Sequence, residues 1–305
     1  MTDPTSKTEI IPLARNILRL RAPNPGPMTF TGTNTYLIGE GARAVIDPGP
    51  NDLAHLAEIL NALPAGDTIS HIFVTHAHLD HSPLARPLAE ATGAKVYAFG
   101  LATAGRSAIM QRLADDHLSR KDNSLGGGEG VDKAFRPDIT LACGDTISAP
   151  TWALTAIHTP GHFCNHLSFQ MGDIVFTGDH IMGWSSTLIS PPDGDLADYY
   201  ASLDRIKTAA PRLCYPGHGE PIDDPLTKIN ELRAHRDMRS QQILDALRDG
   251  PATAITIASR LYTAIPPALL PAATRNTLAH LIDLASKNKI SHKDPLQILT
   301  EFHLL

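Results

Sequence analysis

The feature that most constrains this chain is the hexapeptide HAHLDH at residues 76–81, which directly follows an apolar run typical of a buried strand. In an extended segment, residues two apart face the same side, so His76 and His78 can bind one ion. Asp80 and His81 lie where the chain turns towards a helix, and they can face a second ion. Four nitrogen and oxygen donors within six residues therefore predict a metal site.

Three further candidate ligands follow, each at the end of a predicted strand: His162, Asp179 and His218. A glycine immediately precedes each of them. Glycine accepts backbone angles and close contacts that other residues resist, which suits a tight turn that presents a ligand. Each residue alone is typical of a structural turn. Together with the hexapeptide they complete two coordination shells.

Two regions differ in their secondary-structure pattern. Up to Pro221 short strands alternate with amphipathic helices, which favours an α/β architecture. Beyond it the pattern becomes helical, with segments predicted at 229–247, 253–262 and 275–287. We therefore predict a catalytic domain at 1–225 and a small helical domain at 226–305.

A polar, charged segment at 105–136 carries a glycine-rich stretch. It predicts a helix followed by a mobile loop. Such a loop serves either as a lid over the site or as a plain surface insertion, and the sequence leaves open whether it is ordered.

Composition excludes several classes. The net charge of −6 gives no general attraction to nucleic acid, and the three cysteines are neither a disulfide framework nor a CxxC metal motif. The N-terminus lacks the pattern of a secretory signal, and no stretch approaches the roughly 20 apolar residues that span a bilayer. We expect a soluble, cytoplasmic protein with no membrane partner, and the oligomeric state stays open.

The series HxHxDH, GH, GD and GHG, in this order, resembles the metallo-β-lactamase superfamily over residues 30–220. The resemblance implies an αβ/βα sandwich followed by a small winged-helix-like C-terminal domain. It implies a first metal ion held by His76, His78 and His162. It implies a second ion held by Asp80, His81 and His218, with Asp179 bridging the two.

Residues near these ligands have lesser expected roles. Asp47 resembles the family's early aspartate, which hydrogen-bonds metal ligands from behind. His158, His166 and His180 are expected to pack or to support ligands rather than to bind metal, and Cys164 reads as a buried thiol. Trp184 fits a pocket wall or the core.

Imidazole and carboxylate ligands fit two divalent ions, zinc best and manganese or iron as alternatives. Such ions lower the pKa of a shared water, which implies a hydrolase that uses a metal-bound hydroxide on a carbonyl carbon or a phosphorus. Asp80 is the candidate catalytic residue, orienting the nucleophile and relaying its proton.

The segments at 191–195 and 199–203 resemble the beta-lactamase-like protein 2 group, whose animal members are associated with endonuclease activity on single-stranded RNA. An endoribonuclease is therefore the leading expectation. From Leu226 onward, ten Lys and Arg stand against seven Asp and Glu, a mild preference for phosphate.

Two other classes compete with the ribonuclease. The first is a thioesterase or lactonase acting on a small metabolite, in the manner of glyoxalase II. The second is a binding module with structural metals, which is disfavoured because structural zinc sites are closed by four ligands. The shape of the site discriminates between these activities: an open groove with basic rims favours the nuclease, and a narrow apolar cavity favours hydrolysis of a small ester.

Overall fold

The computed structural model describes residues 8–14, 16–120, 125, 128, 130–293 and 295–305. Within them, the first sheet has seven strands in sequence order, antiparallel from β1 to β4 and parallel from β4 to β7. Its strands are β1 (Glu9–Ala14), β2 (Ile17–Arg21), β3 (Asn34–Ile38), β4 (Ala42–Ile46), β5 (Thr68–Phe73), β6 (Lys95–Ala98) and β7 (Ile139–Thr140).

The second sheet has five strands in the order β12-β11-β10-β9-β8, and only β11 and β12 pair in parallel. Its strands are β8 (Thr146–Ala149), β9 (Trp152–His158), β10 (Leu167–Met171), β11 (Ile174–Gly178) and β12 (Leu213–Pro216). Residues 171–174 join β10 to β11 as the hairpin that the Met171-Gly172-Asp173 sequence predicts.

The two sheets pack face to face, with helices on both outer faces. Along β3, Tyr36 and Ile38 face an inter-sheet core that includes Phe73 and Phe169, whereas Leu37 faces the helices, as a period of two requires. The helices of this part are α1 (Leu53–Asn61), α2 (Ala85–Thr92), α3 (Ala108–Arg120) and α4 (Leu196–Thr208). The predicted αβ/βα sandwich is confirmed.

The C-terminal part adds three helices and a small sheet in the order β13-β15-β14. Its elements are α5 (Pro225–Arg248), β13 (Ala252–Thr253), α6 (Ala254–Leu261), a 3-10 turn (Pro267–Leu269), α7 (Leu270–Ser286), β14 (Ile290–His292) and β15 (Glu301–Leu304). The sequence predicts the helices but not the strands, which at two to four residues are too short to show an alternating pattern.

Helix α5 crosses the predicted domain boundary. Its first half places Ile229 and Leu232 in a core shared with α4, and its second half places Ile243 and Leu247 in the core of the C-terminal part. One continuous helix therefore couples the two parts. The division at residue 225 stays a prediction.

Two details differ from the expectations or limit them. The Ser82-Pro83 sequence predicts a helix start near residue 82, but α2 begins at Ala85, with Leu84 at its N-cap. The Ser82 hydroxyl donates to Asp132 Oδ2, 2.8 Å away. Most of the glycine-rich part of the 105–136 segment lies outside the described residues, so the lid expectation stays open.

Among the described residues no helix is long and apolar enough to cross a membrane. The cytoplasmic location stays a prediction.

Candidate metal centre

The seven predicted ligands lie together at one edge of the sandwich, in loops that follow four strands. The hexapeptide follows β5, and His162, Asp179 and His218 follow β9, β11 and β12. They form two groups of possible metal ligands, in each of which the ligand atoms lie within 4.8 Å of one another. The groups are His76, His78 and His162, and then Asp80, His81, Asp179 and His218.

The first group consists of three imidazoles whose ring nitrogens face one another. His76 Nε2 lies 2.8 Å from His78 Nδ1, and His162 Nε2 lies 3.1 Å from the same atom. His76 and His78 are two residues apart at the end of β5, as the extended backbone predicts. Three converging nitrogens of this kind are a common donor set for zinc.

The second group mixes imidazoles with carboxylates. His218 Nε2 lies 3.3 Å from His81 Nε2 and 3.1 Å from Asp80 Oδ2. Asp80 Oδ2 is also 3.4 Å from His81 Nε2. Of these three side chains only that of Asp80 is substantially exposed, at 26 %, whereas both rings are buried. This group therefore offers nitrogen and oxygen donors, with one carboxylate open to the cavity.

Asp179 lies between the two groups. Its Oδ2 is 3.8 Å from His162 Nε2 of the first group and 3.3 Å from His218 Nε2 of the second. Its Oδ1 is buried, lies 3.4 Å from His81 Nε2 and forms no well-aligned hydrogen bond among the described residues. A buried carboxylate that is only partly compensated is costly unless a cation binds it, so Asp179 fits a bridging ligand.

Glycines explain how the chain packs so closely here. A Cβ on Gly217 would lie 2.4 Å from Asp179 Oδ1 and 2.8 Å from His81 Cε1. Gly178 has a φ of +48°, and a Cβ there would lie 2.6 Å from His166 Nε2. The glycines before the ligands are thus required by close approach and by backbone angle.

Supporting groups fix the orientation of the imidazoles. Asp47 lies behind the site, where its Oδ2 is 2.9 Å from His81 Nδ1 and also accepts from the Thr75 hydroxyl at 2.7 Å. The predicted supporting role of Asp47 is confirmed. His162 Nδ1 lies 2.7 Å from the Leu188 carbonyl oxygen and 2.9 Å from Thr187 Oγ1. Contacts of this type hold a ring in one tautomer with its other nitrogen towards the ion.

The two groups of candidate ligands differ in the pKa values of their side chains. Burial and the neighbouring imidazoles, that of His162 above all, lower the pKa of His78 to about 3, so this ring is neutral and ready to bind a cation. Burial opposes protonation of His218, but the Asp179 and Asp80 carboxylates raise its pKa to about 9. Burial also opposes ionisation of Asp179, yet His218 and His81 hold its pKa well below the usual value. Without an ion the first group is therefore neutral, whereas the second pairs protonated imidazoles with ionised carboxylates. Divalent ions that displace those protons would find nitrogen and oxygen donors in both groups.

The neighbouring side chains that the sequence singled out support or pack rather than bind. His166 Nε2 accepts from the Asp179 amide at 3.2 Å and so positions the bridging carboxylate. The His180 ring packs 4.7 Å from that of Tyr199, and the His158 ring stacks 3.9 Å from that of Phe99. Burial raises the pKa of the Cys164 thiol to about 12, as expected of an inert buried cysteine.

A cavity of about 810 Å³ opens over the centre. Four of the candidate ligands line its floor: His78, Asp80, His162 and Asp179. Trp184 forms part of the wall, together with apolar side chains such as Met182 and Phe163. The opposite wall comes from the C-terminal part, with residues of α5, the segment after α6, and α7. The cavity thus lies between the two parts of the chain.

This second wall contains functional candidates that the sequence did not reveal. Arg236 on α5 is 1 % exposed, donates to Asn276 Oδ1 at 2.8 Å and also donates to the Thr187 carbonyl oxygen. Asn276 in turn donates to the Tyr262 hydroxyl at 3.1 Å. A chain of hydrogen bonds therefore runs from His162 through Thr187 into the C-terminal part. No motif marks these residues, since they are far apart in sequence.

Comparisons with known proteins agree with this architecture. A model described as the metallo-beta-lactamase superfamily matches residues 28–218, and one described as a beta-lactamase associated winged helix domain matches residues 253–295. A metallo-beta-lactamase family protein from Thermus thermophilus superimposes with a TM-score of 0.76 at 25 % identity, over 96 % of this chain and 100 % of that one. The winged-helix expectation is thereby confirmed.

Relatives of known sequence include the "Beta-lactamase-like protein 2 homolog" of Drosophila melanogaster, which is 31 % identical over 91 % of this chain and 90 % of its own. An "Atrochrysone carboxyl ACP thioesterase" of Aspergillus fumigatus is 30 % identical over 79 % of this chain and 68 % of its own. The expected similarity to the beta-lactamase-like protein 2 group is confirmed. The chain therefore belongs to the metallo-beta-lactamase superfamily, whose members are hydrolases that typically bind divalent metal ions.

Proposed function

We propose that this protein hydrolyses acyl thioesters with an apolar acyl group at a centre of two divalent ions. The observation that carries the proposal is the cavity, which joins the ligand cluster directly to apolar side chains such as Ile265 and Leu269 of the opposite wall. An apolar acyl chain lies favourably against such a wall, whereas the backbone of a nucleic acid does not.

The relatives support the same substrate class. The Aspergillus fumigatus relative is named as a thioesterase that acts on an acyl carrier protein substrate, and its similarity to this chain extends over 249 residues. For this chain, thioester hydrolysis is the proposal.

The candidate ligands have different roles in the proposed reaction. The seven residues would hold two divalent ions, and such ions would supply a water of lowered pKa and polarise the carbonyl that it attacks. The Asp80 carboxylate is the exposed member of its group, and although burial opposes its ionisation, His81 and His218 hold its pKa well below the usual value. It therefore orients the water through a hydrogen bond and passes the proton on rather than retaining it. A thiol has a pKa of about 8.5, so the leaving group departs as a thiolate without a further acid.

We propose zinc as the metal in both positions, with manganese and iron as the alternatives. The first group offers only imidazole nitrogens, which zinc accepts readily, and the second adds the carboxylates of Asp80 and Asp179. Elemental analysis of the protein purified without added metal tests this. Two zinc ions per chain support the assignment, and two manganese or iron ions contradict it.

The decisive experiment is hydrolysis of S-octanoyl-N-acetylcysteamine by zinc-loaded protein, followed by thiol release. We expect turnover that a chelator abolishes and that Asp80→Asn reduces about a hundredfold, because the amide keeps the shape but cannot take the proton. Asp173→Asn is the matched control, since this aspartate lies in the β10–β11 turn and pairs with exposed Arg212. Absence of turnover with acetyl, butyryl and octanoyl thioesters overturns the proposal.

Endonuclease activity on single-stranded RNA is the second candidate. Phe30, 45 % exposed, stacks on Trp184 at 4.8 Å between ring centroids, and Trp184 lines the cavity. Exposed aromatic rings of this kind are platforms on which nucleic acid bases stack. Cleavage of a labelled single-stranded RNA by the zinc-loaded protein, and its loss in Asp80→Asn, would support this activity.

A further inference from the structure

The cavity wall formed by the C-terminal part carries two arginines. Arg239 of α5 and Arg275 of α7 both line the cavity, beside Tyr262 and His235. Burial lowers the pKa of His235, and the charges of Arg236 and Arg239 lower it further, so this histidine is neutral. The positive charge of this wall therefore comes from the arginines.

Arg239 is held in place but lacks an anionic partner. Its guanidinium stacks on the Tyr262 ring, 4.3 Å from the centroid, and the Tyr262 hydroxyl is fixed by Asn276. Its Nε is buried without a hydrogen-bond partner among the described residues. In the part of the chain that the structure describes, no carboxylate forms an ion pair with Arg239. A stacked guanidinium with unused donors is preorganised for an oxyanion.

Among the described residues, the acidic side chains that line the cavity are not paired with Arg239. Asp193 lines the cavity but is bound to Arg106 at 2.5 Å. Asp80 and Asp179 belong to the ligand cluster, where two histidines contact them and bound divalent ions would offset their charge. Arg275 is oriented by the Ser190 hydroxyl, which accepts from its Nε at 3.0 Å. Arg239 is thus the cavity-lining cation on which a site for an anionic ligand would centre.

We infer that Arg239 is the anion-binding residue of a subsite for the substrate, in the cavity wall that the C-terminal part forms. The inference rests on the proposed thioester hydrolysis and specifies its substrate: an apolar acyl thioester that also carries an oxyanion. That oxyanion is a carboxylate at the far end of the acyl chain or a phosphate of the thiol carrier. A guanidinium fork binds both in the same bidentate geometry.

Three thioesters with eight-carbon acyl groups distinguish these sources. S-octanoyl-N-acetylcysteamine is neutral, octanoyl-coenzyme A carries phosphates on the thiol side, and the mono-N-acetylcysteamine thioester of suberic acid carries a carboxylate on the acyl side. We expect Arg239→Gln to lower the ratio of kcat/KM for one anionic substrate to that for the neutral one about tenfold or more, mainly through KM. Arg239→Lys should recover part of that ratio, because it keeps the charge and loses the fork.

The matched control is Arg248→Gln, which removes the same charge from the exposed end of the same helix, where Arg248 pairs with Asp245. It should leave both ratios as in the unaltered protein. Equal losses on all three substrates in Arg239→Gln, or an unchanged ratio, overturn the subsite while leaving thioester hydrolysis intact.

If no thioester is hydrolysed, a binding measurement tests the anion subsite independently of turnover. Calorimetric titration of the zinc-loaded protein with coenzyme A and with suberate should show at least one of them binding about tenfold more weakly to Arg239→Gln. Equal affinity of both ligands for the two proteins overturns the subsite. If Arg239→Gln instead weakens only the binding of single-stranded RNA, the oxyanion is a backbone phosphate and the acyl substrate is wrong.

Discussion

The cavity has two walls that are built in different ways. The ligand wall concentrates seven side chains in four loops at one edge of the sheets, where Asp47 supports the His81 ring from behind and Thr187 supports that of His162. The opposite wall collects single residues from α5, α7 and the segment between α6 and α7. The first arrangement fits two ions and a reaction. The second fits the shape and charge of one substrate, so chemistry and selectivity lie on separate parts of the chain.

The strongest test of this division replaces Asp179, the proposed bridging ligand of the two ions. Asp179→Ala should reduce kcat about a thousandfold and the bound zinc from two ions to at most one, because the shared carboxylate of both groups is lost. The fold should survive, since the two sheets do not depend on Asp179. Elemental analysis, steady-state kinetics and circular dichroism measure these three quantities.

Asp173→Ala is the control for that variant, because Asp173 lies on the same hairpin but is exposed. It should bind two ions and keep its activity. Two ions still bound to Asp179→Ala would contradict the bridging role, and residual activity near that of the unaltered protein would move the reaction away from this centre.

The second prediction concerns the link between the walls. Arg236 is fully buried, donates to Asn276 and Thr187, and lies over the Tyr199 ring at 5.3 Å. Arg236→Met fills a similar volume but leaves the Thr187 carbonyl without this donor. We expect the free energy of unfolding of the metal-free protein to fall by about 2 kcal/mol. Urea denaturation measures it.

Arg233→Met provides the comparison on the same helix. Arg233 is 34 % exposed and pairs with Asp204 near the surface, so its loss should cost less than about 1 kcal/mol. If the two variants unfold at the same urea concentration, Arg236 does not join the walls and the two parts of the chain are stabilised independently.

The contrast between the walls also explains how much the sequence could predict. The cluster of candidate ligands was predictable because metal coordination requires particular residue types, which stand at short spacing in the hexapeptide. The glycine before each later candidate marked a tight turn. Asp47 was predictable by its resemblance to the family pattern. The groups behind His162, Thr187 and the Leu188 carbonyl, were not, because hydroxyl and backbone acceptors are too common to mark a site.

The residues of the C-terminal wall could not be predicted from the sequence, and the reason is physical. Arg239, Tyr262 and Asn276 are brought together only by the crossing of α5, α7 and the turn between α6 and α7. Spacing in the sequence does not encode that crossing. The helices themselves were predicted from their periodicity, whereas the short strands β13 to β15 carry too few residues for a pattern.

The smallest expected effect tests whether the C-terminal wall of the cavity selects the substrate by the length of its acyl chain. Ile265 lines the cavity on the side of the C-terminal part, and Ile265→Ala removes three carbons from that surface. Because each buried methylene contributes about 0.8 kcal/mol, partial loss of contact should lower kcat/KM for an octanoyl thioester about three- to fivefold and that for an acetyl thioester less than twofold. Ile255→Ala is the matched control, since Ile255 is 39 % exposed on α6 and does not line the cavity. Equal losses on both chain lengths would show that Ile265 supports the fold instead, and the apolar wall would then not select the acyl group.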